Sequence, residues 1–123
     1  TDIVCLGIGE NGHIAFNDPD VANFNDHKLV KIVKLDHVCR QQQVNEKCFE
    51  TLEQVPTEAL TLTIPALLKA KWMFCIVPFK NKAQAVYRTI HGDISEKCPA
   101  SILRRKEKSS LYLDTESAQL LNL

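Results

Sequence analysis

A short apolar run followed at once by a long loop constrains this fold more than any other feature of the sequence. Residues 2–7 read Asp-Ile-Val-Cys-Leu-Gly, and their β-branched side chains predict a buried strand. Residues 8–26 are rich in Gly, Asn, Asp and Pro, which predicts a loop. Long loops in compact domains are commonly functional. Ligands of open α/β sheets bind at the carboxyl ends of strands, so we expect a binding site here.

The middle of the chain predicts strands that alternate with helices. Residues 29–35 have the pattern of a second strand, and Asp36 is placed to cap a helix that runs to about Phe49. Residues 59–68 predict a strand followed by a short helix. The near-continuous apolar run over 72–77 is typical of a central parallel strand.

The last third of the chain continues the alternation. The apolar spacing predicts a helix over 81–91 that ends at Gly92. Its predicted buried face consists of Ala83, Val86, Tyr87 and Ile90. We expect a helical turn at 99–103, a last strand at 111–113 and a terminal helix at 115–121. This order of elements indicates an α/β fold with a largely parallel sheet flanked by helices.

The charge balance narrows the classes of ligand. The 123 residues include 15 basic and 15 acidic side chains, so the formal net charge is zero. Such a chain has no general attraction for nucleic acid or for an anionic membrane surface, and we expect neither as a partner. No apolar stretch approaches the ~20 residues that span a bilayer, and no signal peptide is recognised. A small anionic ligand would have to be held by a few placed cations.

Cysteine usage predicts a reduced, cytoplasmic protein. The five cysteines are an odd number and show no Cys-x-x-Cys spacing. Disulfides are rare in reducing compartments, and zinc sites require short-range ligand spacing. We therefore expect free thiols, no metal site and a cytoplasmic location.

His13 is the candidate proton carrier of the loop. It is the side chain of this segment that ordinarily titrates near neutral pH. Asp18 could orient it, and Glu10 is a weaker candidate for the same role. A histidine in a glycine-rich loop can also be structural or merely exposed, so the residues alone leave both interpretations open.

Three glycines in the same loop also allow two interpretations. Gly7, Gly9 and Gly12 let the backbone turn tightly and approach a ligand closely. Their spacing matches the Gly-x-Gly-x-x-Gly fingerprint of dinucleotide sites. That match is weak, because Asn-Asp-Pro at 17–19 follows where an amphipathic helix should begin. The acidic residue of the fingerprint has no clear counterpart, since Asp36 is late and lies at a predicted helix start.

Residues 6–19 carry a resemblance to a known enzyme family. They read Leu-Gly-Ile-Gly-Glu-Asn-Gly-His-Ile-Ala-Phe-Asn-Asp-Pro and closely resemble the active-site signature of glucosamine-6-phosphate deaminases. The related 6-phosphogluconolactonases share the Gly-x-Gly and Gly-His elements but usually continue with Thr-Ala-Ser-Leu. The resemblance extends through Arg40, the segment 59–61, the Lys82-Ala83 pair and the segment 99–101.

The resemblance implies a Rossmann-like fold in which residues 1–123 are the C-terminal portion of a larger, here incomplete domain. The family converts glucosamine 6-phosphate and water to fructose 6-phosphate and ammonia, without a metal or an organic cofactor. The histidine that matches His13 carries protons as the pyranose ring opens. The general base and a Ser/Gly/Thr-rich phosphate loop belong to the N-terminal half. The expected partners are therefore a sugar phosphate, that missing half and, as an open alternative, further copies in a homo-oligomer.

The same resemblance assigns the remaining site residues. Arg40 and Lys82 match the family's phosphate-binding arginine and lysine, and Gly12 is the signature glycine expected beside the substrate. Asn11 and Asp18 join His13 in the catalytic group, although many deaminases have an acid at the first position and Glu at the second. Asn11 can hold His13 by a hydrogen bond but cannot stabilise an imidazolium by charge. The alternatives left open are a 6-phosphogluconolactonase-like hydrolase and a sugar-phosphate sensor without turnover.

Overall fold

The computed structural model describes residues 1–122 of the chain. In chain order its regular elements are β1 (Ile3–Leu6), β2 (Val30–Lys34), α1 (His37–Asn45), β3 (Glu58–Leu62), α2 (Ile64–Leu68), β4 (Trp72–Val77), α3 (Ala83–His91) and β5 (Ser109–Leu113). Short 3₁₀ turns lie at Leu52–Gln54, Lys80–Lys82 and Pro99–Arg105.

Strands β1, β4 and β5 form a parallel sheet with β4 in its centre. In the β1–β4 register Cys5 lies opposite Phe74. Met73, Cys75 and Val77 of β4 are buried on one face of the sheet. A central parallel strand needs such an apolar sequence because helices pack on its faces. The predicted α/β fold with a parallel sheet is confirmed.

The other two strands form a separate antiparallel ribbon, so the parallel sheet is smaller than the alternation of elements predicts. Strand β2 pairs with β3, and Ile32 lies opposite Leu60. Strand β2 reads Val-Lys-Ile-Val-Lys, and Val33 is its one buried residue. Lysines are seldom buried, and a central parallel strand is covered on both faces. Strand β2 is therefore unsuited to the main sheet.

Helix α1 begins where the sequence predicts but ends earlier. The side chain of Asp36 caps its first turn, as expected. The helix stops at Asn45 instead of continuing to about Phe49. Just beyond its end, Lys47 adopts a positive φ of 62°. Glycine usually occupies this position in a closed helix end, so the sequence contained no signal for the stop.

Helix α3 ends before Gly92 as predicted, but it buries a partly different face. Its buried residues are Ala83, Ala85, Val86 and Thr89. Tyr87, which we expected on the buried face, is 41% exposed. The helix packs against the Pro99–Arg105 turn, and small side chains permit this close approach while the larger tyrosine lies outside.

The C-terminal segment forms turns, and the prediction of a helix at 115–121 is wrong. Residues 115–120 have turn geometry. The backbone N–H of Ser117 donates to Oδ1 of Asp114 at 2.7 Å, and the N–H of Asp114 donates to the Ser117 hydroxyl at 3.2 Å. The backbone N–H groups of Gln119 and Leu121 then bond three residues back, which is too tight for α-helix.

The packed core lies on one face of the sheet. Its buried members include Ile8, Ile14, Ile64, Leu67, Met73, Val77, Val86 and Ile102. On the other face Ile3, Trp72, Ile76 and Tyr112 are all 41–56% exposed. Parallel sheets of α/β proteins are usually covered on both faces. These four residues define what we call the open face, an apolar surface that further polypeptide could cover.

The structure also describes the state of the cysteines and the character of the helices. All five cysteines carry free thiols. Cys39, Cys75 and Cys98 are buried, where a cysteine packs as a small apolar residue. Within residues 1–122, the helices fall short of the length and apolar character that a membrane span requires.

Candidate active site

A cavity of about 500 Å³ opens beside the segment that leaves β1. Its wall combines the loop after β1, the second half of α1, strand β3 and the residue that precedes α3. The residues that line it are Gly7, Ile8, Gly9, His13, Ala15, Phe16, Gln42, Gln43, Glu46, Leu60, Thr61, Leu62 and Lys82. The carboxyl end of a parallel strand is where a ligand is expected in this class of fold.

Two residues of the signature loop attach it to β3. The backbone N–H of Phe16 donates to Oγ1 of Thr61 at 3.1 Å. The buried side chain of Asn17 donates to the carbonyl of Leu62 at 2.9 Å. These bonds hold the loop against the ribbon, so that both contribute to one cavity wall.

His13 is held by two neighbours in the same loop. Its Nδ1 lies 2.6 Å from Oδ1 of Asn11 and 3.2 Å from Oδ1 of Asp18. The side chain lines the cavity and is nearly buried. The structure thus brings together the three residues assigned to catalysis. Glu10 is directed elsewhere, since its carboxylate accepts a hydrogen bond from Asn81 at 2.7 Å.

The hydrogen-bond pattern determines which imidazole nitrogen is available. Oδ1 of Asn11 accepts the backbone N–H of His13 at 3.0 Å, and Nδ2 donates to the carboxylates of Asp18 and Asp36 at 3.1 and 2.8 Å. If the Asn11 amide were flipped, its NH₂ group would face the backbone N–H of His13 and its oxygen would face the two carboxylates, so the observed orientation is required. Both oxygens near Nδ1 are therefore acceptors, and the neutral imidazole carries its proton on Nδ1. Nε2 is the basic nitrogen left for a ligand.

Asp18 is fully buried and yet favours its ionised form. Burial raises its pKa, but hydrogen bonds from His13, Asn11 and the backbone N–H of Asp36 outweigh burial and hold the pKa below its usual 3.8. The resulting negative charge lies beside the imidazole and stabilises it when protonated. Asp18 therefore supplies the charge that Asn11 cannot.

Asp36 belongs to the same network, although the sequence assigned it only to a helix cap. Its Oδ1 accepts the backbone N–H of Cys39 in the first turn of α1 at 2.7 Å. Its Oδ2 accepts Nδ2 of Asn11 at 2.8 Å. One carboxylate thus ties the start of α1 to the histidine loop. Local spacing revealed the cap but contained no signal for a contact 25 residues away.

The signature glycines Gly9 and Gly12 make room for neighbouring side chains of the protein. A Cβ on Gly9 would lie 2.0 Å from Cε1 of His13. Gly12 has a φ of 86°, and a Cβ there would lie 2.8 Å from Sγ of Cys98. Gly12 does not line the cavity, so the structure does not place this predicted substrate-binding residue at the cavity wall. No helix begins before α1 in the described chain, so the Gly-x-Gly-x-x-Gly match lacks the helix that follows it in dinucleotide sites.

Lys82 is the lysine that lines the cavity. Its side chain is largely buried, and Nζ donates to the carbonyl of Ile8 at 2.9 Å. The carboxylate of Glu46 lies 3.8 Å from the same nitrogen. An ammonium group has three donors, so Lys82 retains capacity for an anionic ligand. The structure therefore places this predicted phosphate contact at the cavity.

Arg40 does not reach the cavity. Its guanidinium donates to the carbonyls of Leu52 and Val55 at 2.9 and 3.2 Å. Helix α1 presents Gln42, Gln43 and Glu46 to the cavity. At 3.6 residues per turn, Arg40 points away from that face and binds the segment that follows the helix.

One group of side chains has the donor types of a metal site. Ligand atoms of His13, Asp18 and Cys39 lie within 4.8 Å of one another. Burial and the nearby charge of Asp18 raise the pKa of the Cys39 thiol to about 12. The thiol is therefore protonated at neutral pH when no metal is bound. Nδ1 of His13 is also engaged by Asn11 and Asp18, so this donor set suits a proton network better than a metal.

The sequence is similar to those of known sugar-phosphate enzymes. The profile of the family described as glucosamine-6-phosphate isomerases/6-phosphogluconolactonase matches residues 1–112. The chain is 37% identical over 118 residues to the glucosamine-6-phosphate deaminase of Halalkalibacterium halodurans, a match that covers 96% of this chain and 46% of that protein. It is 40% identical over 119 residues to the deaminase of Bacillus cytotoxicus, with coverage of 97% and 44%. The chain thus spans about half the length of these relatives.

Solved structures show the same relationship. A monomeric glucosamine-6-phosphate deaminase matches with a TM-score of 0.88 and 38% sequence identity, over 98% of this chain and 48% of that one. The 6-phosphogluconolactonase of Leishmania guyanensis matches with a TM-score of 0.71 and 22% identity, over 100% of this chain and 42% of that one. The second likeness concerns the fold alone, whereas the first includes substantial sequence identity.

Proposed function

Because the chain belongs to the family of glucosamine-6-phosphate isomerases and 6-phosphogluconolactonases, we propose that it supplies the histidine-bearing half of a deaminase active site. The reaction converts glucosamine 6-phosphate and water to fructose 6-phosphate and ammonia. The observation that carries this proposal is the Asn11–His13–Asp18 group at the cavity, in which Nδ1 of His13 is engaged and Nε2 has no hydrogen bond within residues 1–122. The relatives named as deaminases support it.

His13 acts as the acid and base of ring opening in this proposal. Nε2 takes the proton of the anomeric hydroxyl and delivers a proton to the ring oxygen as the C1–O5 bond breaks. The ionised carboxylate of Asp18 stabilises the imidazolium formed in between. Asn11 keeps the ring oriented and its proton on Nδ1.

Lys82 is the residue of this chain that we assign to the phosphate. It is a largely buried cation at the cavity, at the start of α3, where helix amides and the helix dipole also favour an anion. Arg40 would have to give up its bonds to two carbonyls before it could reach a ligand. Its match to the family's phosphate arginine therefore remains a proposal that the observed geometry does not favour.

A complementary polypeptide completes the site in this proposal. Residues 1–123 would be the C-terminal portion of the domain, and the other half would bring the general base and the phosphate loop. The open face supports such a partner, because Ile3, Trp72, Ile76 and Tyr112 form an uncovered apolar surface on the sheet. The free thiols fit a reducing compartment, and we propose the cytoplasm.

Ammonia release is the test of this function. Purified 1–123 is assayed with glucosamine 6-phosphate alone and after addition of the complementary half of a relative. Positioning of groups from two halves accounts for ~7–11 kcal/mol of a barrier, so we expect no turnover from 1–123 alone and turnover from the mixture. Full activity of 1–123 alone would refute the incomplete site. Tight binding without turnover by the assembled protein would favour a sensor, and hydrolysis of 6-phosphogluconolactone a lactonase.

A further inference from the structure

The cavity also contains the carboxylate of Glu46, which belongs neither to the hydrogen-bond network around His13 nor to the side-chain cap of α1. Glu46 follows the last turn of α1 and lines the same cavity as His13 and Lys82. Its side chain is 45% exposed. Among the described residues that line the cavity, it is the single acidic one.

One hydrogen bond holds this carboxylate, and a second hydrogen bond holds its donor. Oε1 of Glu46 accepts Nε2 of Gln42 at 3.0 Å. Gln42 is buried, and its own Oε1 accepts the backbone N–H of Glu10 in the signature loop at 3.1 Å. The glutamate is therefore oriented from the loop that also carries His13, as expected for a residue that faces a ligand.

The position of Glu46 is poorly explained if the glutamate serves only as a counter-ion to Lys82. Oε1 of Glu46 lies 3.8 Å from Nζ of Lys82, whereas Nζ lies 2.9 Å from the carbonyl of Ile8. A separation of 3.8 Å is beyond hydrogen-bond distance, and half-exposed ion pairs contribute little to stability. An anion beside this lysine also weakens its attraction for a phosphate. That cost is offset if the ligand carries a positive charge as well.

The geometry points to Glu46 as the residue that binds the ammonium group of an amino-sugar phosphate. The inference rests on the proposed function and adds the basis of its selectivity. A ligand with a phosphate and an ammonium group satisfies Lys82 and Glu46 together. A ligand with a hydroxyl in place of the amine leaves the carboxylate without its ion pair and close to the incoming phosphate, so it binds less well.

The experiment measures selectivity by calorimetry on residues 1–123 assembled with the complementary half, at a pH where the sugar amine is protonated. All proteins in it carry His13→Gln, so that glucosamine 6-phosphate is bound without being turned over. Glucosamine 6-phosphate and glucose 6-phosphate are the two probes, since they differ at C2 by an ammonium and a hydroxyl group. Glu46→Gln keeps the size and the hydrogen bond from Gln42. Glu53→Gln is the matched control, because Glu53 is exposed and does not line the cavity.

We expect Glu46→Gln to lower the affinity for glucosamine 6-phosphate about tenfold or more, the usual effect of losing a charged partner. Its affinity for glucose 6-phosphate should stay the same or rise, and Glu53→Gln should change neither. If the ratio of the two affinities did not change, the role of Glu46 would be overturned and the proposed function would remain intact. An assembled protein with Glu46 intact that binds neither sugar would overturn both the role of Glu46 and the proposed function. If Glu46→Gln fails to fold, Glu46→Ala also removes the charge and provides the same comparison of the two sugars.

Discussion

The imidazole of His13 lies directly against Gly9, where a β-carbon would come within 2.0 Å of its Cε1. Gly9 does not have a positive φ, so its backbone conformation does not itself require glycine. The space that the ring occupies is what excludes any larger residue. The glycine thus fixes the position of the proposed proton carrier through the space that it leaves for the ring.

We expect Gly9→Ala to displace His13 and to lower turnover of the assembled enzyme by ~10²-fold or more, the contribution of a general acid–base group. Gly7→Ala is the matched control, because Gly7 lines the same cavity but a β-carbon there would lie 3.6 Å from the carbonyl oxygen of Ile76, an ordinary contact, and would not displace His13. Ammonia release measured for both variants decides the matter. Equal activity of the two would show that the ring is not held by Gly9.

Replacement of His13 tests the proton carrier directly. His13→Gln removes the titrating group and should lower kcat by ~10²–10⁴-fold, with a smaller effect on KM. His27→Gln changes an exposed histidine and should leave turnover unaltered. Near-normal kcat in the first variant would contradict the assignment.

Asn11→Asp tests the departure of this chain from the deaminase signature. An added carboxylate favours the protonated imidazole, so the pH–rate profile should move to higher pH. The change also removes the two hydrogen bonds that Nδ2 donates to Asp18 and Asp36. Each such bond to a charged group is worth ~1.5–3 kcal/mol, so urea unfolding should show a loss of stability. An unchanged pH–rate profile would show that Asn11 has no influence on proton transfer.

The parts of the site that follow from one stretch of chain could be predicted from the sequence. Residues 6–19 contain Asn11, His13 and Asp18, and the structure brings their side chains together. The apolar run of β4 likewise identified the central strand. Local spacing carries such information because each contact spans only a few residues.

Contacts between distant segments could not be predicted in this way. Asp36 bonds to Asn11 across 25 residues, and Glu10 binds Gln42 across 32. The direction of Arg40 depended on how α1 packs, and the helix end at Asn45 depended on Lys47 taking a conformation usual for glycine. These features are set by tertiary packing, for which local residue patterns contain no signal.

Lys82→Ala should weaken phosphate binding. Removal of a charged donor costs ~1.5–3 kcal/mol of affinity, so we expect the Kd for glucosamine 6-phosphate to rise, with little change for unphosphorylated glucosamine. Both affinities are measured by calorimetry on the assembled protein. If the two fell equally, Lys82 would be acting through the fold and not through the phosphate.

Arg40→Ala tests whether Arg40 stabilises the fold or binds the phosphate. The guanidinium bonds to the carbonyls of Leu52 and Val55, so its loss should lower the free energy of unfolding by ~1.5–3 kcal/mol. Affinity for the phosphate of a bound sugar should change less than in Lys82→Ala. A selective loss of affinity for phosphorylated ligands would instead support Arg40 as a phosphate-binding residue.

Asp18→Asn should reduce stability in a pH-dependent manner. Hydrogen bonds hold the pKa of Asp18 in the folded chain below its usual 3.8. A carboxyl whose pKa is lowered on folding stabilises the folded state above its unfolded pKa, and this stabilisation is lost as the pH falls through the folded pKa. The wild-type protein should therefore exceed Asp18→Asn in free energy of unfolding at neutral pH, and the difference should shrink once the pH falls below 3.8. Urea denaturation of both proteins across this range measures it. A difference that stays constant would mean that Asp18 acts through shape and neutral hydrogen bonds, without the ionised form that the proton network requires.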